Sequence, residues 1–321
     1  MKERDISIDI LKFIAAIVIT NSHMELLYGK YSMLATGGAI GDVLFFFCSG
    51  FTLFLGSMGR FDNWYKRRIN RIYPTVFAWA IIGAFVLGAQ SDMKYILIHG
   101  GGWFVTCIMI YYAVLWFVRR FMEQKLWLMF ALSTIAVVIW YLLLNRQPGW
   151  GMYGATYFKW GHYFLFMLLG AIVGRMSKQN WKFSFQKDLG KLFICLVAFY
   201  VILIGASRNS IICQWQIISL LPLLGITFYF YRLCNSTLLK RYYHNRYLGW
   251  CIKFVGGLCL EIYIVQGVLF TDAMNSIFPF NIPVMFLIIF IAAYLLRCGA
   301  RIFSQTFKEG TYDWKAVFKM T

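Results

Sequence analysis

Two ionisable side chains stand in the first apolar run of the sequence. They are Lys12 and His23, in KFIAAIVITNSHMELL. At about 100° per residue, eleven positions turn a helix to within roughly 20° of the same face. Ionisable groups within a membrane helix usually face the bundle interior or a water-filled cavity, and a neutral imidazole there can accept a proton. The alternative is that Lys12 extends its amine to the interface and that His23 forms a hydrogen bond at the outer interface.

A basic cluster precedes the third apolar run, in WYKRRINRIYP. Arg68 and Arg71 are three residues apart and therefore share one face if the segment is helical. Such a cluster usually fixes topology and contacts lipid phosphate, but arginine also binds the phosphates of a cofactor. Pro74 suits the first turn of the helix that follows.

Isolated polar or small residues mark further apolar runs. Asp9 could pair with Lys12 one turn later. Ser49, with its neighbour Gly50 in FFFCSGFTLFLG, is best explained by close helix packing. Glu261 lies deep in KFVGGLCLEIYIVQGVLF, where a carboxylate needs a partner or water, so it is a functional candidate.

The composition requires a membrane environment. Of the residues, 60% are hydrophobic and only 14% are charged, against about a quarter charged in soluble domains. About ten apolar runs have the length of a span, although the sixth and seventh are short and need tilt, bilayer thinning or flanking aromatic residues. We predict an all-α, polytopic integral membrane protein in which residues 1–321 form one domain. The predicted spans are Ile8–Leu27, Ile40–Ser57, Tyr73–Leu87, Trp103–Val118, Leu126–Leu144, Tyr163–Val173, Leu192–Ile204, Trp215–Tyr231, Phe254–Phe270 and Pro283–Leu296.

The positive charge follows the predicted topology. The formal net charge is +18, which in a soluble protein would suggest nucleic acid. With the N-terminus inside, the rest of the 31 Lys and Arg fall inside, and outside loops hold only Lys30, Lys94, Arg146, Lys159 and Arg208. The positive-inside rule thus places both termini in the cytoplasm, with a basic tail over residues 297–321, and argues against a nucleic-acid partner. The 8 Cys form no CxxC pair, so we expect neither a disulfide framework nor a metal site.

Five stretches, in order, resemble the motifs of the membrane-bound acyltransferase 3 family. DILKFIAAIVITNSH is similar to its first helix, FFFCSGFTLFLG to its FF-x-x-SGF pattern and RRINRIYP to its RR-x-x-R-I-x-P pattern. GGWFVTCIMIYY resembles its fourth-helix start, and VGGLCLEIYIVQ its late G-x-x-SLEIYLxH segment. The resemblance extends from about Asp5 to Phe270. Lys12, Cys259 and Gln266 stand where that family usually has arginine, serine and histidine, so no catalytic role is assigned to Gln266.

The resemblance implies a transferase in the bacterial cytoplasmic membrane. It would move an acyl group, expected to be acetyl, from cytoplasmic acyl-CoA to a sugar hydroxyl outside or on a lipid carrier, as in capsule or exopolysaccharide modification. His23 would be catalytic, as a general base or as a covalent acyl carrier. The expected ligands are acetyl-CoA, a saccharide acceptor and the lipid bilayer, without a metal, and no oligomeric state is indicated. Acyl-CoA would be bound by Lys12, Arg68 and Arg71, with support from Asp9, Ser49, Trp103, Glu261 and Tyr263.

Other functions remain open at this point. A transporter or flippase for a lipid-linked saccharide would also use about ten helices and intramembrane charges, but the internal repeat expected of it is not found. A non-catalytic membrane component of polysaccharide assembly would not depend on His23. The other membrane O-acyltransferase type normally has its histidine late in the chain, whereas here it falls in the first run.

Overall fold

The computed structural model describes residues 5–86, 96, 102–146, 150–154, 156–177, 179 and 181–321. Within these ranges the chain is helical and contains no strand. The α-helices are α1 (Ile6–Ser22), α2 (Glu25–Tyr28), α3 (Gly38–Leu55), α4 (Phe61–Val86), α5 (Trp103–Phe121), α6 (Leu126–Leu143), α7 (Lys159–Met176), α8 (Phe185–Arg208), α9 (Ser210–Gln214), α10 (Leu220–Cys234), α11 (Thr237–His244), α12 (Arg246–Gly257), α13 (Cys259–Leu269), α14 (Asn281–Thr306) and α15 (Trp314–Val317). Short 3₁₀ helices lie at Gly29–Leu34, Glu123–Lys125, Gln216–Ser219 and Asn275–Ile277.

The described helices include enough apolar spans for a multi-pass membrane protein. Seven are long and apolar enough to cross a bilayer, and the number rises to nine if two bent pairs each count as one span. The remaining predicted run, Tyr163–Val173, lies within α7, an 18-residue helix that also carries Lys159, His162 and Arg175. The all-helical membrane architecture is therefore confirmed, whereas the count of ten and the cytoplasmic termini stay predictions.

Two predicted spans are broken in the structure. The first run was expected to be continuous from Ile8 to Leu27, but α1 ends at Ser22 and the following segment, Glu25–Leu34, turns away by 63°. The run Phe254–Phe270 likewise breaks between Gly257 and Cys259, where α12 and α13 meet at 73°. Hydropathy does not register such breaks, because it reports how apolar a stretch of sequence is and not the direction of the helix axis.

Other helices are longer than predicted. α7 and α8 contain 18 and 24 residues, or about 27 and 36 Å at 1.5 Å per residue. Against a hydrocarbon core of about 30 Å, α8 is long enough without thinning, whereas α7 is a few ångströms shorter. α4 begins at Phe61, which places the basic cluster inside the helix and Pro74 in its interior. The prediction that Pro74 opens this helix is therefore wrong; membrane helices tolerate internal proline when neighbours satisfy the freed carbonyl.

The chain divides into two compact units, which we call unit 1 and unit 2. Unit 1 consists of Met1–Ala15, Ala39–Ser57 and Phe117–Gly249. Within it α3 and α7 cross in backbone contact, because a Cβ on Gly50 would lie 1.9 Å from the Met167 carbonyl oxygen and one on Gly170 would lie 2.1 Å from that of Phe47. The packing role predicted for the Ser49–Gly50 pair is thus confirmed for Gly50.

Unit 2 consists of Ala16–Gly38, Met58–Trp116 and Trp250–Thr321. Its helices α4 and α14 pack through Phe77 and Phe303, whose ring centroids are 5.7 Å apart. α14 continues past the predicted end of the last span, and the C-terminal segment folds back on it. Arg301 Nη1 donates to the Val317 carbonyl at 2.9 Å, and Val317 itself is fully buried.

Large apolar side chains are exposed on α6 and α8, both of unit 1. Only 17% of the most apolar window of either helix is buried. Trp127, Leu143 and Phe193 are each at least 60% exposed. Apolar faces of this size are stable only when lipid or another apolar partner covers them.

Candidate active site

His23 lies just after the end of α1, in unit 2. Its backbone N–H donates to the Thr20 carbonyl at 3.2 Å, and Met24 begins the next turn fully buried. The His23 side chain itself is exposed. His23 is the first residue after α1, so the expectation that Lys12 and His23 share one face stays a prediction.

Amide side chains hold the segment that carries His23. Asn21 Nδ2 donates to the carbonyls of Leu34 at 2.8 Å and Thr36 at 3.1 Å. The Tyr28 hydroxyl donates to Asn21 Oδ1 at 2.8 Å. Asn21 thereby joins the end of α1 to both parts of the loop that follows it.

A second amide holds the same segment from α14. Asn281 is fully buried, and its Nδ2 donates to the Leu27 carbonyl at 2.8 Å. The chain then returns at Gly37, where φ is +104° and a Cβ would lie 2.4 Å from Val18 Cγ1. A side chain at that position would be strained and would clash, so Gly37 allows the chain to pack closely against α1 at Val18.

Arg68 and Arg71 lie on α4 one turn apart, as the spacing predicts. The Arg68 guanidinium stacks over the Trp64 ring with 4.7 Å between Cζ and the centroid. Trp64 is buried, and its ring meets Tyr112 edge-on at 6.3 Å. Arg68 Nε is buried without a hydrogen-bond partner among the described residues, while Arg71 is exposed. A stacked guanidinium with an unused donor is suited to an oxyanion ligand.

Glu261 is 4% exposed and forms a two-point ion pair with Arg297. Arg297 Nη2 lies 2.7 Å from Oε2, and Nε lies 3.1 Å from Oε1. The Thr75 hydroxyl donates to Oε1 at 3.4 Å. Arg297 also donates to the carbonyl of Gly257, the last residue of α12. Arg297 of α14 therefore binds both sides of the bend, Gly257 of α12 and Glu261 of α13.

Arg297 is the member of the candidate site that the sequence reasoning missed. Its charge was counted only as part of the basic tail that sets topology. The signal that could have found it was Glu261, since an intramembrane carboxylate requires a cationic partner. Spacing alone could not choose the partner, because the two residues are 36 positions apart.

Two of the predicted motifs meet in unit 2. Phe104, which follows Trp103 at the start of α5, lies 5.3 Å from Tyr263 between ring centroids. Gly102 has φ +109°, and a Cβ there would lie 3.0 Å from the Tyr263 hydroxyl. Gly101 lies outside the described residues. The glycine–tryptophan motif and the late LEIYIVQ segment are thus neighbours through Tyr263.

The other predicted residues belong to unit 1. Asp9 is buried, and its Oδ2 accepts a hydrogen bond from the Tyr243 hydroxyl at 2.9 Å, which ties α1 to α11. Lys12 is half-buried on α1. Ser49 is half-buried on α3, and its carbonyl accepts from Thr52 Oγ1 at 3.3 Å. The structure does not test the roles predicted for these three residues.

A family model described as an acyltransferase domain matches residues 5–298 of the chain. The chain belongs to the acyltransferase 3 family. The acyltransferase 3 match includes all nine predicted site residues and extends to Arg297. No curated protein and no solved structure gives a significant match.

Membership of the acyltransferase 3 family identifies the protein as a membrane acyltransferase in general. Unit 2 contains the imidazole of His23, the arginine pair Arg68 and Arg71, and the aromatic contact between Phe104 and Tyr263. Within the described residues, no group of three or more His, Cys, Asp or Glu side chains could hold a metal ion. That the reaction needs no metal stays a prediction.

Proposed function

We propose that the protein is an acyl-CoA-dependent O-acetyltransferase of the bacterial cytoplasmic membrane. Its acceptor is a hydroxyl of an extracytoplasmic or lipid-linked sugar that belongs to a cell-surface polysaccharide. Family membership supports the acyl transfer, and the asymmetric charge supports a basic side from which an anionic acyl-CoA is supplied.

The observation that carries the proposal is the placement of His23. It is exposed at the break in a bent helix pair that is long and apolar enough to cross a bilayer. The backbone around it is held by Asn21 and the buried Asn281. A reactive group must be accessible and held in position. The exposure of His23 supports the first requirement, and the bonds of Asn21 and Asn281 to the neighbouring backbone support the second.

The proposed chemistry is transfer of acetyl from sulfur to oxygen. In the general-base route, neutral His23 removes the proton of the sugar hydroxyl while the oxygen attacks the thioester carbonyl. The new C–O bond forms, the C–S bond breaks, and the CoA thiolate leaves and takes the proton from the imidazolium. In the covalent route, an imidazole nitrogen of His23 attacks the thioester carbonyl, the C–S bond breaks, and CoA leaves with the imidazole proton. The sugar oxygen then attacks the acetyl-imidazole, the N–C bond breaks, and the hydroxyl proton passes to the released imidazole.

Arg68 and Arg71 are proposed to bind the phosphates of acyl-CoA. The stack on Trp64 presents the Arg68 guanidinium in a fixed orientation, and Arg71 adds an exposed charge one turn later. Such forks match phosphate oxygens better than an ammonium group does. Lys12 lies in the other unit, and its contribution stays a prediction.

The proposal is tested by transfer of radiolabel from acetyl-CoA to polysaccharide in membrane vesicles. We expect His23→Ala to lower the rate by about 100- to 10,000-fold, the usual contribution of general acid–base catalysis. His244→Ala is the matched control, because His244 is also exposed but ends α11 in unit 1. Equal transfer by the His23 variant and wild type, at equal protein abundance, excludes a catalytic His23.

A second test compares the surface polysaccharide of cells with and without the gene by NMR. The polysaccharide from cells that lack the gene should have lost its O-acetyl signals.

A transporter of lipid-linked saccharide is the second candidate, because two spans are broken as in many carriers. It predicts saccharide movement without label transfer from acetyl-CoA. If label from acetyl-CoA enters the polysaccharide and this incorporation requires His23, the protein is the acetyltransferase. Movement of saccharide without such label decides for the transporter.

A further inference from the structure

Unit 1 contains an apolar groove between α6, α7 and α10 that takes no part in the proposed reaction. Its volume is about 650 Å³, enough for a large part of an acyl chain. Aromatic and aliphatic side chains form the wall, including Trp127, Leu169, Leu224 and Phe228. Such a wall favours an apolar occupant, because a polar one would lose its hydration without replacement.

The groove has one basic end. Along α7 it extends from Leu169 to Met176, and along α10 from Leu224 to Arg232, or roughly 10 to 12 Å at 1.5 Å per residue. Trp181 and Arg232 stand at its end. The groove therefore has a charged end and an apolar interior, and its length is about half that of an extended acyl chain.

The basic end of the groove has more positive than negative side chains around it. Arg232 is paired with buried Asp188, with 2.6 Å between Nε and Oδ1. Lys191 Nζ lies 5.6 Å from the centroid of Tyr229, which lines the groove. Lys240 Nζ lies 5.9 Å from the centroid of Phe183, the ring that Arg232 Cζ also approaches, at 5.4 Å. In the described part of the chain, no carboxylate is within 4 Å of either ammonium group.

We propose that this groove is a binding site for one anionic phospholipid. An acyl chain lies against Leu224 and Phe228, and the phosphate lies near Lys191 and Lys240. The two ammonium groups select an anionic headgroup over a zwitterionic one, since basic residues near a lipid surface attract anionic lipids. The site does not depend on the proposed acetyl transfer, and it is tested by binding rather than by activity.

The test uses the full chain purified in detergent, with dioleoyl phosphatidylglycerol and dioleoyl phosphatidylcholine as probes. Bound lipid is counted by native mass spectrometry. Wild type should retain one phosphatidylglycerol in preference to phosphatidylcholine. Leu224→Trp fills the groove and should abolish this adduct. Leu221→Trp is the control, since Leu221 is 70% exposed on the same helix and does not line the groove.

The headgroup is tested separately, in case the tryptophan variant fails to fold. Lys191→Gln should lower the preference for phosphatidylglycerol about fivefold, the effect of one basic residue at an anionic lipid surface. Arg208→Gln removes one charge from the opposite end of α8 and should leave the preference unchanged. Equal retention of both lipids by wild type, or an unchanged preference in Lys191→Gln, overturns the proposal.

Discussion

At the scale of single residues, the site depends on how polar side chains are satisfied within an apolar protein. Glu261 has its cationic partner in Arg297, which also binds the Gly257 carbonyl. Arg68, by contrast, retains a buried Nε donor without a partner among the described residues. The first arrangement is complete and fixes structure, whereas the second is open to a ligand.

The Glu261–Arg297 pair should be essential for stability. Removing one member of a buried pair leaves the other uncompensated, at a cost of about 3–5 kcal/mol. We therefore expect Arg297→Gln to lower the thermal unfolding midpoint in detergent strongly. Arg60→Gln is the control, because its pair with Asp62 is exposed and should leave the midpoint nearly unchanged. Equal midpoints for the two variants would show that the pair adds no stability.

Arg68 should instead affect donor binding. Arg68→Gln removes a charged donor, and a hydrogen bond to a charged group is worth about 1.5–3 kcal/mol, so the apparent KM for acetyl-CoA should rise roughly tenfold or more. Lys66→Gln, an exposed charge on the same helix, serves as the control. If Arg68→Gln lowers only the amount of protein in the membrane, the cluster serves topology instead.

At the scale of secondary-structure elements, the breaks in the helices matter more than their spans. The break after α1 exposes His23, and the break between α12 and α13 lies next to the ion pair of Glu261. Each break is held by side chains distant in sequence, Asn281 at the first and Arg297 at the second. A mutation at either contact acts on the position of an element rather than on a reacting group.

Asn281 should act as a positioning residue for His23. Asn281→Ala removes the hydrogen bond to the Leu27 carbonyl and loosens the segment that carries the imidazole. We expect kcat to fall about 10- to 100-fold, as for other misplaced catalytic groups, with a smaller change in the KM for acetyl-CoA. Asn281→Asp retains an acceptor but not the donor and should not restore the rate. Asn63→Ala, an exposed asparagine on α4, is the control; a fall in kcat equal to that of the control would remove this role.

At the scale of the whole molecule, the topology depends on α7. Seven to nine described spans follow from length and composition, and α7 supplies a further one if its mixed sequence also crosses the bilayer. Its residues from His162 to Gly174 are buried almost without interruption. Lys159, His162 and Arg175 near its two ends lower the mean hydropathy of α7, although the middle of the helix is apolar.

Cysteine labelling of α7 tests the predicted topology. In a cysteine-free variant, Tyr157→Cys should react with an impermeant maleimide from outside intact cells. Gln179→Cys should react only after the membrane is opened, because the two positions bracket α7. Labelling of both from the same side would show that α7 does not span, and that the count of ten is wrong.

Several features were determined by the sequence alone. The low fraction of charged residues required lipid as solvent, and the order of the motifs around His23, Arg68 and Glu261 indicated the family. Composition and motif order depend only on the residue types along the chain, so they can be determined without knowing any tertiary contact. The packing role of Gly50 also belongs here, because a small residue in an aromatic wall usually marks a close contact between helices.

The tertiary structure decided what depends on contacts between distant residues. It placed His23 beyond the end of α1 because Asn21 and Asn281 bind the backbone of the loop that follows. It paired Glu261 with Arg297, which the charge count had treated as a topological residue. A hydropathy pattern reports how apolar a segment is but not where it bends or which partner satisfies its polar groups, since both depend on side chains elsewhere in the chain.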